Sequence, residues 1–276
     1  MNASGRLIDA AWPKNQRPAW NTGAVASLRP ARRSLPSPIF LGLVAATAAG
    51  AVLTLFDSEI AITAGVVIII LAGWAVSLCL HEFSHALVAH RAGDPHVRAR
   101  GYLTLDITKY ANAGLTFVLP LLFLLIGGIP LPGGAVYISR GALRSRAAAS
   151  LVSASGPLVN LVLAVLLALV VPFVPLALGA GLSFLALIQV LAFVLNILPI
   201  PGLDGWGVLD PYLSDRTRQK VAPFTPYAPL VLFVVLIFFR PAAEALFSFA
   251  SFIYETAGGD SYLAEAGRAI FFFWQR

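Results

Sequence analysis

Residues 147–203 contain no Asp, Glu, Lys or Arg, and this uncharged run is long enough for two membrane-crossing helices. A helix needs about 20 apolar residues to cross the core of a bilayer. The whole chain of 276 residues has the same character, with 58% hydrophobic and 12% charged residues. Soluble domains carry about 25% charged residues. The composition therefore excludes an ordinary soluble fold and predicts an all-α membrane protein.

Apolar runs bounded by Pro, Gly and charged residues predict a polytopic helical bundle of about 5–6 spans. The predicted bundle forms one membrane-embedded domain at 38–258, preceded by a disordered basic tail at 1–37. Residues 259–276, which include Glu265 and Arg268, are expected to lie in the membrane interface. The apolar runs are 38–56, 60–92, 149–171, 182–198 and 227–239, with a shorter one at 241–254.

The net charge of +6 predicts membrane orientation rather than nucleic-acid binding, because the basic residues lie between the apolar runs. The tail at 1–37 carries six Lys and Arg residues, so the N-terminus is expected in the cytoplasm. The second predicted span returns to the cytoplasm at Arg91, Arg98 and Arg100. We therefore expect a multi-pass protein of the plasma membrane. Its expected partner is the lipid bilayer, and no binding of nucleic acid is expected.

Residues 110–139 leave two interpretations open. The segment is apolar and uncharged, but basic residues flank both ends, and Pro120, Gly127 and Gly128 interrupt it. This pattern favours a re-entrant segment followed by a short β-hairpin near 135–138, between the second span and the next. Irregular backbone at membrane depth requires protein or a wet cavity around it. An ordinary crossing by residues 112–129 is the alternative.

The sequence His81-Glu82-Phe83-Ser84-His85 is an HExxH motif inside the second predicted span. A helix places residues i and i+4 on one face, so both imidazoles can reach one metal ion. Glu82 can then act as general base toward a water molecule. An ionisable group within a membrane costs about 2.5–3.5 kcal/mol on insertion scales. That cost favours a functional site over the alternative, a polar cluster that only joins helices.

A catalytic zinc site normally has three protein ligands, so one further residue is required. His90 lies on the opposite face of the helix, and His96 lies in a polar loop. Asp204 is the better candidate because it follows the uncharged run where Pro199 must interrupt the helix. Gly205 permits a tight backbone path that can turn the carboxylate back toward a neighbouring helix.

Three motifs in this order resemble the site-2 protease family of intramembrane zinc metalloproteases. They are the HExxH motif, Ser155-Gly-Pro-Leu-Val-Asn160 at the start of a span, and Asn196 through Leu203-Asp-Gly205 at the end of the next. His90-Arg-Ala-Gly-Asp94 and Gly101-Tyr-Leu-Thr-Leu105 are similar to the compact prokaryotic branch, which lacks PDZ and CBS domains. The resemblance covers about residues 38–213.

The resemblance implies one Zn²⁺ on His81, His85 and Asp204, with Glu82 as the catalytic base. It implies hydrolysis of peptide bonds in or near transmembrane segments of membrane proteins, at a site toward the cytoplasm. Other residues would position substrate or shape the site. Asn196, Gly134, Ala135 and Val136 would position substrate, and Gly156, Pro157, Asn160, Pro199 and Gly205 would support the structure nearby.

Three other functions remain alternatives. The first is a catalytically silent zinc-binding relative with a regulatory or scaffolding role, although the ligand set is complete. The second is a transporter, since ionisable residues in membranes also mark ion pathways. A transporter would carry such residues on several spans, whereas the spans after Glu82 are almost free of them. The third is a membrane hydrolase acting on a molecule other than protein.

Overall fold

The computed structural model describes residues 36–110 and 136–275, which form an all-α structure. No strand occurs within these two ranges. Residues 1–35 of the tail predicted at 1–37 lie outside them, as does the segment at 112–129. The α-helices in the two ranges are α1 Pro38–Leu53, α2 Glu59–Ala92, α3 His96–Ala99, α4 Arg146–Val170, α5 Leu176–Ile197, α6 Asp204–Leu209, α7 Asp215–Val221, α8 Ala228–Phe238, α9 Arg240–Thr256 and α10 Ser261–Phe271.

Helices α2, α4 and α5 form the centre of the bundle, and each contacts the other two. Helix α2 has 34 residues and is capped at its N-terminus by Ser58, whose hydroxyl accepts a hydrogen bond from the Ala61 N–H. Its buried face carries Ile69 and Trp74, which pack with Phe184 of α5 in the largest apolar cluster. This contact fixes α2 against α5, and it therefore sets where the last turns of α2 lie.

Helix α5 begins at Leu176, six residues before the position predicted from the Gly and Pro pattern. Pro175 lies just before the first turn, where the missing N–H of proline is tolerated. Gly179 and Gly181 lie inside the helix and do not end it, and Gly181 packs against α2. A Cβ at Gly181 would lie 3.4 Å from Val66 and 3.5 Å from Ile69. Small residues at such contacts let membrane helices approach closely.

Among the residues that the structure describes, three helical segments are long and apolar enough to cross a membrane, namely α2, α4 with its following turn, and α5. Within the same residues, α7 and α8 would add a fourth crossing if they formed one span bent by 58°. Helix α1 is apolar but has only 16 residues. The prediction of 5–6 spans is therefore not confirmed, because apolar runs in the sequence do not show where helices end.

The C-terminal helix α10 packs against α5 and α2 with one face. Its buried residues are Ala264, Gly267 and Phe271. The opposite face is exposed and carries an ion pair of 2.7 Å between Arg268 and Glu265. Helix α10 is therefore part of the bundle, and its placement in a membrane interface stays a prediction.

Candidate metal centre

Helix α2 carries His81, Glu82 and His85 near its C-terminal end, and all three side chains are buried. The two histidines lie one helical turn apart on the face toward α4 and α6. Their Nε2 atoms are 3.1 Å from each other. The helical spacing predicted from HExxH is therefore present, and both imidazoles point to one location.

Asp204 reaches the same location from the break between α5 and α6. Helix α5 ends at Ile197, just before Pro199, and α6 begins at Asp204 itself. The turn between them brings Gly205 so close to α5 that a Cβ there would overlap the carbonyl oxygen of Ile197. The tight turn, which only glycine permits at this position, directs the Asp204 carboxylate back toward α2.

The three side chains fit a tetrahedral zinc ion. One carboxylate oxygen, Oδ2 of Asp204, lies 3.2 Å from Nε2 of His81 and 3.4 Å from Nε2 of His85. Ligand atoms about 2.1 Å from zinc at tetrahedral angles lie about 3.4 Å apart. With the Nε2 separation of 3.1 Å, all three distances are close to this value. The group can therefore hold a metal ion after small shifts of the side chains.

The outer nitrogens of the two histidines support the same conclusion. Nδ1 of His85 donates to the carbonyl oxygen of Val152 at 2.7 Å, and Nδ1 of His81 lies 3.2 Å from Oδ1 of Asn160. An imidazole that donates from Nδ1 presents a lone pair at Nε2 when it is neutral. Metal-bound histidines typically donate their other N–H in this way. Both acceptors belong to α4, so this helix orients the imidazoles.

Replacement of Asn160 by alanine is expected to lower zinc affinity about 10- to 100-fold, because the acceptor that orients His81 is lost. Competition with a zinc-binding dye measures this change in purified protein. Asn160→Asp, which keeps an oxygen at the same place, is the matched control. An affinity equal to wild type in Asn160→Ala would contradict the orienting role.

Helix α4 approaches the histidines most closely at Gly156. A Cβ at this residue would overlap Nε2 of His85 and would lie 2.5 Å from Nε2 of His81. The next residue is Pro157, which lies inside the helix and has no N–H to donate to the Ser153 carbonyl. Ser153 lines the cavity beside the site. Gly156 therefore leaves room for a metal, and Pro157 leaves the Ser153 carbonyl without its usual helical donor.

A cavity of about 730 Å³ opens beside the three ligands. Glu82 and Asn196 line it, and both side chains are buried. Trp206 and Arg218 form part of its wall on the side of α6 and α7. The buried Glu82 carboxylate is thus within the same cavity as the metal ligands, and a substrate would enter this space.

Residues 136–138 line the cavity outside any helix or strand, and their side chains alternate between partly buried and exposed as they do in an extended segment. Val136 and Ile138 are half-buried against the core near α2, whereas Tyr137 is exposed and stacks with Arg100 at 4.4 Å. The Val136 N–H donates to Oε2 of Glu82 at 3.3 Å. No strand is assigned at 136–139, and Gly134 and Ala135 lie outside the described residues. The β-hairpin near 135–138 therefore stays a prediction.

Sequence reasoning missed two contacts that shape the site. The Val152 carbonyl, which orients His85, has no signal in the sequence because any residue supplies a carbonyl. Asp94 is fully buried and accepts hydrogen bonds from the loop after α2 and from Ser139. The sequence pointed to Asp94 only through its place in His90-Arg-Ala-Gly-Asp94, the stretch that resembles the compact branch. His90, by contrast, contacts the Asp94 carbonyl oxygen and does not join the metal ligands.

Comparisons with known proteins identify the kind of protein that this chain resembles. The profile of peptidase family M50 matches residues 67–179. The chain is 44% identical over 247 residues to Rip2 of Mycobacterium tuberculosis, covering 87% of this chain and 94% of that one. It is 30% identical over 177 residues to YwhC of Bacillus subtilis, covering 59% and 77% respectively. Both relatives carry the provisional name of zinc metalloprotease. No solved structure matches the chain significantly.

Proposed function

The chain belongs to peptidase family M50, the site-2 protease type, and we propose that it hydrolyses peptide bonds in or near transmembrane segments of membrane proteins. Family membership makes it a zinc metalloprotease. The proposal concerns the residues of the site, the class of substrate and the side of the membrane from which the site is reached.

The observation that supports an intramembrane reaction is the location of the ligands. His81 and His85 lie within α2, a helix apolar enough to cross a membrane, and α4 and α5 surround them with two more such helices. We propose that a membrane-protein substrate reaches this buried site through the helix bundle. We therefore propose His81, His85 and Asp204 as the zinc ligands.

Glu82 is proposed as the general base. Zinc in a site with three protein ligands acts as a Lewis acid and makes water a nucleophile near neutral pH. The Glu82 carboxylate is held in the same cavity, where it can accept the proton of the attacking water and pass it to the leaving amine. Asn196 projects into this cavity from the last turn of α5. Its amide can donate to a carbonyl of the bound peptide and thereby orient it.

The extended segment 136–138 is proposed to bind the substrate by strand addition. Within the described part of the chain, the N–H and C=O groups of Tyr137 have no hydrogen-bond partner. Unpaired backbone groups on an extended segment can pair with an extended peptide. A transmembrane substrate must therefore unwind locally, because the amides of an intact helix are already paired.

The active site is proposed to face the cytoplasm, with the protein in the plasma membrane and its N-terminus inside. Basic residues lie near the ends of α2, α4 and α6 that carry the site, namely Arg91, Arg98, Arg146 and Arg218. At the other end of α2, Asp57 in the link before the helix and Glu59 at its first position are acidic instead. This asymmetry is the one expected from the excess of Lys and Arg in cytoplasmic loops.

Cleavage of a single-pass probe in nanodiscs tests the proposal. The probe is a Leu/Ala transmembrane peptide with an Asn-Pro pair near its cytoplasmic end, and mass spectrometry locates the cut. We expect a zinc-dependent cut in or near the membrane segment, lost on addition of 1,10-phenanthroline and restored by Zn²⁺. Zinc-loaded protein that binds the probe and never cuts it would support the silent-relative alternative instead.

A further inference from the structure

Asp94 is a fully buried carboxylate outside the metal centre. Its Oδ1 accepts a hydrogen bond from the His96 N–H at 2.9 Å, and its Oδ2 accepts one from the Ser139 N–H at 2.7 Å. A buried charge is costly unless it is hydrogen-bonded. Bonds from backbone N–H groups to a carboxylate are among the stronger hydrogen bonds. Asp94 therefore joins two segments that are distant in the sequence.

The end of α2 directs this carboxylate inward. Gly93 ends the helix with φ of 118°, a left-handed conformation that favours glycine. The Arg144 N–H donates to the Ala92 carbonyl at 3.1 Å, which is a second hydrogen bond between the end of α2 and the segment after Ser139. The loop after α2 and residues 139–144 are therefore held together at Asp94.

The segment held by Asp94 is also the segment that contacts Glu82. Val136 lies three residues before Ser139, and its N–H donates to Glu82. Three extended residues span about 10 Å, so the segment runs beside the last turns of α2. Within the described chain, Val136 and Ser139 supply the two N–H groups of 136–139 that donate hydrogen bonds. The carboxylate that accepts from Val136 is Glu82 of α2, and the carboxylate that accepts from Ser139 is Asp94 in the loop directly after α2.

We propose that Asp94 is a positioning residue that fixes the extended segment 136–139 against Glu82, so that a bound peptide and the general base are aligned together. The inference rests on the proposed function, since it assumes that this segment receives the peptide. Asp94 does not touch the substrate or the metal. It acts through the Ser139 N–H, and loss of this bond leaves the segment with its contact to Glu82 and its partly buried side chains.

The test compares Asp94→Asn with wild type, using the fluorescent single-pass probe in nanodiscs. An asparagine oxygen can accept one of the two bonds, while its NH₂ group faces the other N–H donor. We expect KM to rise about tenfold or more. We expect the Kd of the probe, measured by anisotropy in a Glu82→Gln background, to rise equally. Zinc content should remain at wild-type level, which separates positioning from collapse of the site.

Three further variants keep the test decisive. Asp106→Asn is the matched control, because Asp106 also accepts from a backbone N–H, and the hydrogen bonds of its carboxylate to the described residues go to Thr108, within its own turn. Ser139→Ala keeps the backbone N–H and should bind the probe like wild type. Ser139→Pro removes that donor and keeps the hydrogen bond from the His96 N–H to Asp94. It therefore tests the contact between Asp94 and Ser139 even if Asp94→Asn does not fold.

Unchanged KM and Kd in Asp94→Asn would overturn the inference, as would loss of zinc together with loss of probe binding in Ser139→Pro. A wild-type protein that neither binds nor cuts the probe would contradict the proposed function instead. Because probe binding is measured without catalysis, these two failures are distinguishable.

Discussion

Glu82→Gln is expected to lower the rate of probe cleavage about 10²- to 10⁴-fold, the usual contribution of a general base. Glutamine has the shape of glutamate but cannot accept the proton from the attacking water. Its side-chain oxygen can still accept the Val136 N–H, so the extended segment should keep its place. The zinc ligands are unchanged, and zinc content should therefore equal that of wild type. Single-turnover cleavage and zinc content measured on the same sample give both results.

Glu265→Gln is the matched control for this variant. Glu265 lies on the exposed face of α10, where hydrogen bonds from Arg268 outweigh the effect of partial burial and hold the pKa of its carboxyl below the usual range. The same chemical change at this distance from the cavity should leave cleavage unaltered. Cleavage by Glu82→Gln within threefold of wild type would exclude Glu82 as the base.

Gly156→Ala is expected to remove zinc and cleavage together. The added methyl group would overlap Nε2 of His85 and lie 2.5 Å from Nε2 of His81. The imidazoles cannot easily move aside, because each is fixed at Nδ1 by an acceptor on α4, the same helix that carries Gly156. In a packed interior, an overlap of this size forces side chains or backbone to shift. The ligand geometry, which needs all three atoms about 3.4 Å apart, would be lost.

The matched control is Gly42→Ala in α1. A Cβ at Gly42 would meet no atom within 4 Å, so the same substitution in another apolar helix should preserve zinc and activity. Zinc content in detergent-purified protein and probe cleavage measure the outcome. Gly156→Ala that retains wild-type zinc would show that the two histidines are not the ligands at this position.

The sequence predicted the parts of the site that depend on local geometry. HExxH on a helix places His81 and His85 on one face whatever surrounds them, and the structure confirms this arrangement. Asp204 was predicted from the proline break after α5, and the structure places its carboxylate beside both histidines. The chemical roles of these residues and of Asn196 stay predictions. The all-helical class was also predictable, because it follows from composition.

The contacts that tertiary packing creates could not be predicted from the sequence. The Val152 carbonyl reaches His85 only because Gly156 lets α4 lie against α2. The sequence around Asp94 is that of an ordinary loop, and only the folded structure brings Ser139, 45 positions later, within hydrogen-bonding distance of its carboxylate. Helix lengths were misjudged for a related reason. Gly181 reads as a helix breaker in isolation but is a packing residue against Val66.

The content of zinc per chain in detergent-purified protein tests the central claim most directly. Wild type, His85→Ala and Asp204→Ala are compared, with His90→Ala as a control that removes a histidine of the same helix outside the cluster. One zinc per chain is expected in wild type and His90→Ala, and a lost or strongly weakened zinc in the other two. Zinc that survives unchanged in Asp204→Ala, or its absence from carefully prepared wild type, would contradict the proposed three-ligand site.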